Sequence, residues 1–163
     1  MVHGAGVVMN GKGYLFYGPS GAGKSTLARL AKSAAVIGDD ISVVLPGEEK
    51  GLELVGNPFR GAFVDSTPVS GGFPLQAGFR LVKAAEVEVR EVSRARALGE
   101  LVANLPYVAE AFDDSPGLFA RVERAFQGVP LYHLLFRKDD SYWDAIERAG
   151  LLERLDAGPE NLP

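Results

Sequence analysis

Apolar positions along the chain fall into short runs cut by glycine and polar turns. Val7-Val8-Met9 and Tyr14-Leu15-Phe16-Tyr17 flank Asn10-Gly11-Lys12-Gly13. Asn-Gly between two such runs predicts a β-hairpin, because both central residues of a type I′ turn need positive φ. A glycine-rich stretch follows Tyr17. Leu27, Leu30 and Ala31 then take up helical spacing, which predicts a helix from near Lys24 to near Ser33. Ala34–Gly38 is a continuous apolar run and predicts a buried strand, with Asp39-Asp40 directly at its end. Ile41–Leu45 and Leu52–Val55 flank the Pro46–Gly51 turn and predict a second hairpin.

The pattern then loosens. Residues 56 to 78 are rich in Gly and Pro with little periodicity, so they predict a long functional loop or lid. Strands are predicted at Phe79–Ala84 and Glu86–Val92. Ser93 opens a helix that runs through Leu105 and stops at Pro106, and further helix is predicted at Tyr107–Phe112 and Leu118–Phe126. Leu131–Phe136 predicts a late strand. Ser141 caps a last helix whose Tyr142, Trp143 and Ile146 share a core-facing side. The tail from Asp156 is predicted to fray. No internal repeat or linker interrupts the chain, so the reading is a single domain over 1–155 with a tail over 156–163.

Composition narrows the picture. The 163 residues are 47% apolar and 23% charged, which suits one globular core and excludes disorder. A net charge of −4 argues against a duplex-DNA partner, which would need a basic face to displace counterions. The absence of cysteine excludes disulfides, thiolate catalysis and Cys-ligated zinc. No apolar run approaches the roughly 20 residues that span a bilayer, and Met1-Val2-His3-Gly4 lacks the features of a secretion signal. Together these predict a cytoplasmic protein without a membrane partner.

The candidate chemistry lies in Gly18-Pro19-Ser20-Gly21-Ala22-Gly23-Lys24-Ser25-Thr26, which matches G-x-x-x-x-G-K-[ST] in full. Glycines let successive backbone N–H groups curl toward an anion, lysine reaches phosphate oxygens, and the following hydroxyl ligates Mg²⁺. A strand before and a helix after complete the expected context. Asp40 follows Lys24 by sixteen positions. The Asp39-Asp40 pair offers one carboxylate for Mg²⁺ or its waters and another to accept a proton from an attacking hydroxyl. On an extended strand the two would point to opposite sides, so both reach a phosphate only if the chain turns there.

His3-Gly4, the Val7–Tyr17 hairpin, the Gly18–Ser25 loop and Ile37-Gly38-Asp39-Asp40 together resemble the catalytic domain of HPr kinase/phosphorylase. That family shares its nucleotide fold with phosphoenolpyruvate carboxykinases. The close resemblance covers about the first 45 residues. Gly56-Asn57-Pro58-Phe59-Arg60-Gly61 and Val129–Leu134 carry a looser likeness to small HPr-kinase-related proteins. The resemblance implies an α/β P-loop nucleotide-binding fold, a mixed sheet with flanking helices. It implies ATP and Mg²⁺ as cofactors, with Lys24 and Ser25 on the phosphates and metal. Asp40 would accept the proton, Asp39 would be its metal or electrostatic partner, His3 would be an active-site histidine and Arg60 would neutralise phosphoryl charge. Two departures stand out. Pro58 replaces a Glu that family enzymes usually carry, leaving Asp65 as a candidate metal contact, and no HPr-docking region is recognisable.

The leading expectation is therefore an ATP- and Mg²⁺-dependent phosphotransferase acting on a protein serine or a small-molecule alcohol, with phosphorolysis in reverse left open. A nucleotide- or phosphate-binding regulatory module with little turnover, and an unrelated small-metabolite kinase, are the alternatives. Neither an L-S-G-G-Q segment nor an N-K-x-D guanine reader occurs, which argues against ABC-type ATPases and GTPase switches. A ring-forming homo-oligomer is also open by resemblance. His133 reads as a satisfied core or edge histidine, Lys138-Asp139-Asp140 as a solvated turn, and Phe59, Phe63, Phe73 and Phe79 as candidate lid packing.

Overall fold

Asn10 and Gly11 both take positive φ, 52° and 73°, so the chain reverses in two residues. Strand β1 (Val2–Met9) consequently lies antiparallel to β2 (Lys12–Tyr17), with Met9 opposite Lys12. The computed structural model describes residues 1–31, 34–47, 51–56, 69–106 and 115–152. The remaining elements are α1 (Lys24–Leu30), β3 (Ala35–Gly38), β4 (Ile41–Pro46), β5 (Leu52–Val55), β6 (Gly72–Lys83) and β7 (Glu88–Glu91). After them come α2 (Arg94–Val102), α3 (Ser115–Ala125), β8 (Leu131–Phe136) and α4 (Tyr142–Arg148).

Five strands close into a barrel. The order runs β2-β1-β4-β5-β6, and β6 returns to pair with β2 in parallel, placing Phe16 opposite Phe79. Outside the ring, β3 pairs with β1, while β8 and β7 extend the sheet beyond β6. This overturns the expected α/β P-loop nucleotide-binding fold of the HPr kinase type. The molecule is mostly sheet, organised around a small closed barrel.

The physical reason lies in β6. Residues 72–78, expected to belong to a lid, are the first half of a twelve-residue strand. Its residues 72–74 pair antiparallel with β5, and from Leu75 onward it pairs in parallel with β2 and then with β8. One long strand thus stitches a hairpin onto a sheet, which a short strand starting at Phe79 could not do. Phe73 and Phe79 both lie on β6, so they are strand residues and not lid packing. Residues 57–68, with Pro58, Phe59, Arg60, Phe63 and Asp65, lie outside the described residues, as do the helix expected at 107–112 and the tail.

A five-stranded ring leaves little room inside, and the chain fits by setting glycines opposite one large side chain. Leu54 is fully buried, and a Cβ on Gly13 would stand 2.8 Å from the Leu54 Cβ. Gly6 is similarly confined: its Cβ would stand 3.0 Å from Leu54 Cδ2 and from the Ser42 hydroxyl. Complete burial of a leucine side chain stabilises by about 1.5–3 kcal/mol. The interior merges with Leu15, Tyr17, Leu75 and the packed faces of α2 and α3, including Leu98, Leu101 and Val122, and with Phe126 just after α3.

Alternate residues on the same strands face the other way. Tyr14, Phe16, Phe79, Leu134 and Phe136 meet α1 and α4 through Leu27, Tyr142, Trp143 and Ile146. Phe16 stacks on Phe79 at 5.3 Å and meets Trp143 edge-on at 6.0 Å. Trp143 is therefore a core residue. The Ser141 hydroxyl donates to Asp139 Oδ1 instead of capping α4.

Candidate functional site

Tyr17 ends β2 under the barrel rim, and the chain then enters Gly18–Thr26. Three glycines hold it in the left-handed region: Gly18 at φ 152°, Gly21 at 74° and Gly23 at 112°. L-residues with a Cβ are strained there. At Gly23 the demand is also steric, since a Cβ would stand 3.1 Å from the Phe136 ring. The end of β8 thus seats the loop, and Gly23 passes it directly into α1, whose first turn has no side-chain cap.

Lys24 begins α1 and turns back under the loop. Its ammonium donates to the carbonyls of Gly18 at 2.8 Å and Pro19 at 3.1 Å. Lys24 is buried, and burial lowers its pKa while the nearby Asp40 carboxylate pulls in the opposite direction. The lysine thus fixes the loop's curvature and holds a positive charge beneath it.

Asp39 and Asp40 occupy the bend between β3 and β4, both of which pair with β1. The chain turns here, as simultaneous access would require, yet the two carboxylates part company. Asp39 is 2% exposed and is not among the residues lining the cleft beside the loop. Asp40 lines it. The Gly4 amide donates to the Asp40 carbonyl at 2.9 Å, and His3 Nδ1 stands 3.3 Å from Asp40 Oδ1. His3 is itself held by its own amide, which donates to the Asn104 carbonyl at 2.8 Å.

The resulting cleft measures about 320 Å³. Ser20, Gly21, Gly23, Lys24, Ser25 and Thr26 form one wall, with His3 and Asp40 opposite. Lys138 completes it. The sequence reading missed this residue, because a lysine in a polar turn carries no signal. Only β8, by delivering the chain to the loop, brings it there. Of the residues singled out beforehand, Gly18, Pro19 and Ala22 serve as the loop's frame. Ala22 donates its amide to the Pro19 carbonyl at 3.0 Å.

Chemically, the cleft combines two ammonium groups, three hydroxyls and a folded-back loop on one side with a carboxylate–imidazole pair on the other. That suits a ligand with anionic oxygens. Among the described residues, no three carboxylate or imidazole groups converge as a metal-binding set. The donors present suit a hard cation shared with a ligand: the Ser25 hydroxyl and an Asp40 carboxylate oxygen would leave the remaining positions to phosphate oxygens and water.

The family model described as SynChlorMet cassette protein ScmC matches residues 1–153. The chain belongs to the ScmC family. Membership spans both the loop and the barrel, and so replaces the resemblance to HPr kinase/phosphorylase that the first 45 residues suggested. The phosphotransferase assignment falls with it, since it rested on that likeness, as do the kinase descriptors attached to it. No curated protein matches the ScmC-family chain. Among its described residues no helix is long and apolar enough to cross a membrane.

Proposed function

We propose that this ScmC-family protein binds a phosphate-bearing ligand in the Gly18–Thr26 cleft, with Mg²⁺-ATP as the ligand to test first. The observation that carries the reading is the convergence of Lys24, Lys138, Ser20, Ser25 and Thr26 around a loop bent by three positive-φ glycines. Backbone amides in such a loop form an anion-binding concavity, and the lysines supply the charge. Ser25 and Asp40 lie on the same cleft, which suits a Mg²⁺ ion shared with the ligand's phosphates. His3 would orient the Asp40 carboxylate from beside it in the cleft. Among the described residues that line the cleft none reads a base, so the reading extends to any nucleoside polyphosphate.

The test is calorimetric titration of the purified chain with ATP, ADP and inorganic phosphate, with and without Mg²⁺, beside Lys24→Met. Affinity that rises with phosphate number and drops at least about tenfold in Lys24→Met is expected from the loss of one charge-assisted contact. Released phosphate, measured in the same samples, reads any turnover directly. Equal affinity in the two proteins would overturn the reading.

A further inference from the structure

A second cleft, of about 520 Å³, opens on the opposite face of the sheet, between the start of α2 and the β6, β8 and β7 strands. Three adjacent strands there set one residue each side by side. Arg80 on β6 is in register with His133 on β8, and His133 with Arg90 on β7. Residues directly opposite one another across strands project from the same face. The three side chains therefore form a row, and all three line the cleft together with Lys83 and Arg96.

Setting an arginine on either side of a buried histidine is unfavourable unless something offsets it. Glu100 on α2 does part of this. Its carboxylate lies 2.6 Å from His133 Nε2, 3.6 Å from Arg80 Nε and 3.1 Å from Arg96 Nε. This group clamps α2 to the sheet and accounts structurally for His133, Arg80 and Arg96. It does not use Arg90 or Lys83. Among the described residues Arg90 pairs along its own strand, with Glu88 at 2.7 Å, and both partners are more than half exposed. Four Lys and Arg residues thus line the cleft with one acid, Glu91, while Glu88 pairs with Arg90 and Glu100 with Arg80 and Arg96. That is a local excess of positive charge in a chain whose net charge is −4. Beside the charged row on the same face, Val82 and Leu135 pair across β6 and β8 as an apolar floor, with Val92 at one side.

We propose that this cleft is a second binding site, for a ligand carrying a carboxylate or phosphate group on an apolar body. The anionic group would meet Arg90 and Lys83 at the rim, with Arg80 and His133 behind. The apolar body would lie over Val82 and Leu135. The volume falls within the range of small-ligand sites, and the mix of an apolar floor with a few convergent cations is what fixes such a ligand's orientation. The site is separate from the Gly18–Thr26 cleft and does not depend on the reading of that loop.

The test uses benzoate and phenyl phosphate, which place the two anionic groups on the same ring, with benzyl alcohol as the uncharged control. Backbone amide shifts are followed in a Lys24→Met background, so that the loop contributes no anion site. Saturable shifts at Arg80, Arg90, His133 and Leu135 are expected with both anions and not with the alcohol. The stronger of the two anions identifies which group the natural ligand carries. Arg90→Ala with Lys83→Ala should weaken binding about tenfold at unchanged melting temperature, and Arg90→Lys should restore part of it. Binding that survives the double substitution, shifts that map elsewhere, or an equal response to benzyl alcohol would each overturn the proposal.

Discussion

His3 and Asp40 meet at 3.3 Å because β1 and β4 pair with His3 opposite Ile41, which sets the imidazole against the bend that carries Asp40. The carboxylate faces the loop across the cleft, so it would repel a bare triphosphate and attract a magnesium-bound one. Asp40→Asn should therefore tighten ATP binding without Mg²⁺ while reducing the gain that Mg²⁺ brings, by about tenfold. Calorimetry at several Mg²⁺ concentrations reads this; an unchanged Mg²⁺ gain would remove Asp40 from the metal's surroundings.

The loop's two inner glycines make a contrast that stability measurements can resolve. Gly21 and Gly23 both have positive φ, but a Cβ at Gly21 meets nothing within 4 Å whereas one at Gly23 presses on Phe136. Gly21→Ala should cost about 1 kcal/mol of backbone strain. Gly23→Ala should cost about 1–3 kcal/mol and displace the loop from β8. Urea unfolding gives both values; equal losses would mean that the Phe136 contact relaxes freely.

Lys24 carries a pH signature. Its pKa in the folded chain lies below the ordinary value of 10.5, because burial disfavours the charged form. Between the two values the unfolded chain binds more protons, so stability contributed through Lys24 rises with pH across that window. Relative to Lys24→Met, the wild-type protein should gain stability as pH climbs toward 10.5. Comparing the pair removes the opposing effect of Tyr17 and Tyr142, whose phenols are both pushed upward chiefly by burial. A difference that stays flat with pH would contradict it.

Glu100 gives the opposite limb. Burial raises its pKa, but hydrogen bonds with His133 and Arg96 and the charge of Arg80 outweigh that and hold it below the ordinary 4.5. Stability from this carboxylate is present above its unfolded value and is lost as pH falls through the folded one. Glu100→Gln should therefore flatten the acid side of the stability profile and loosen α2. Acid unfolding monitored by α2 amide exchange checks both effects.

Leu54 fills the barrel interior where two glycines face it. Leu54→Ala, between Gly6 and Gly13, should destabilise by about 2–5 kcal/mol, since glycine neighbours cannot extend into the space left behind. Gly13→Ala, which overfills the same place, should also destabilise; a neutral result for both would mean the ring is loosely packed.

Short-range chemistry was legible from residues alone. Asn10-Gly11 specified its turn because few other residue pairs tolerate positive φ twice in succession. The run Gly18–Thr26 specified a bent loop followed by a helix for the same reason. The burial of Trp143 and His133 followed from their spacing among apolar neighbours. What sequence could not supply was closure. Whether Gly72–Gly78 is lid or strand depends on a partner, β5, that the local pattern does not name, and pairing with it turns an open sheet into a barrel. Lys138 enters the first cleft, Asp39 leaves it, and Arg80, His133 and Arg90 align into a row for one shared reason. Backbone pairing between distant segments decides which side chains become neighbours, and hydrogen-bonding backbone groups are common to every residue type.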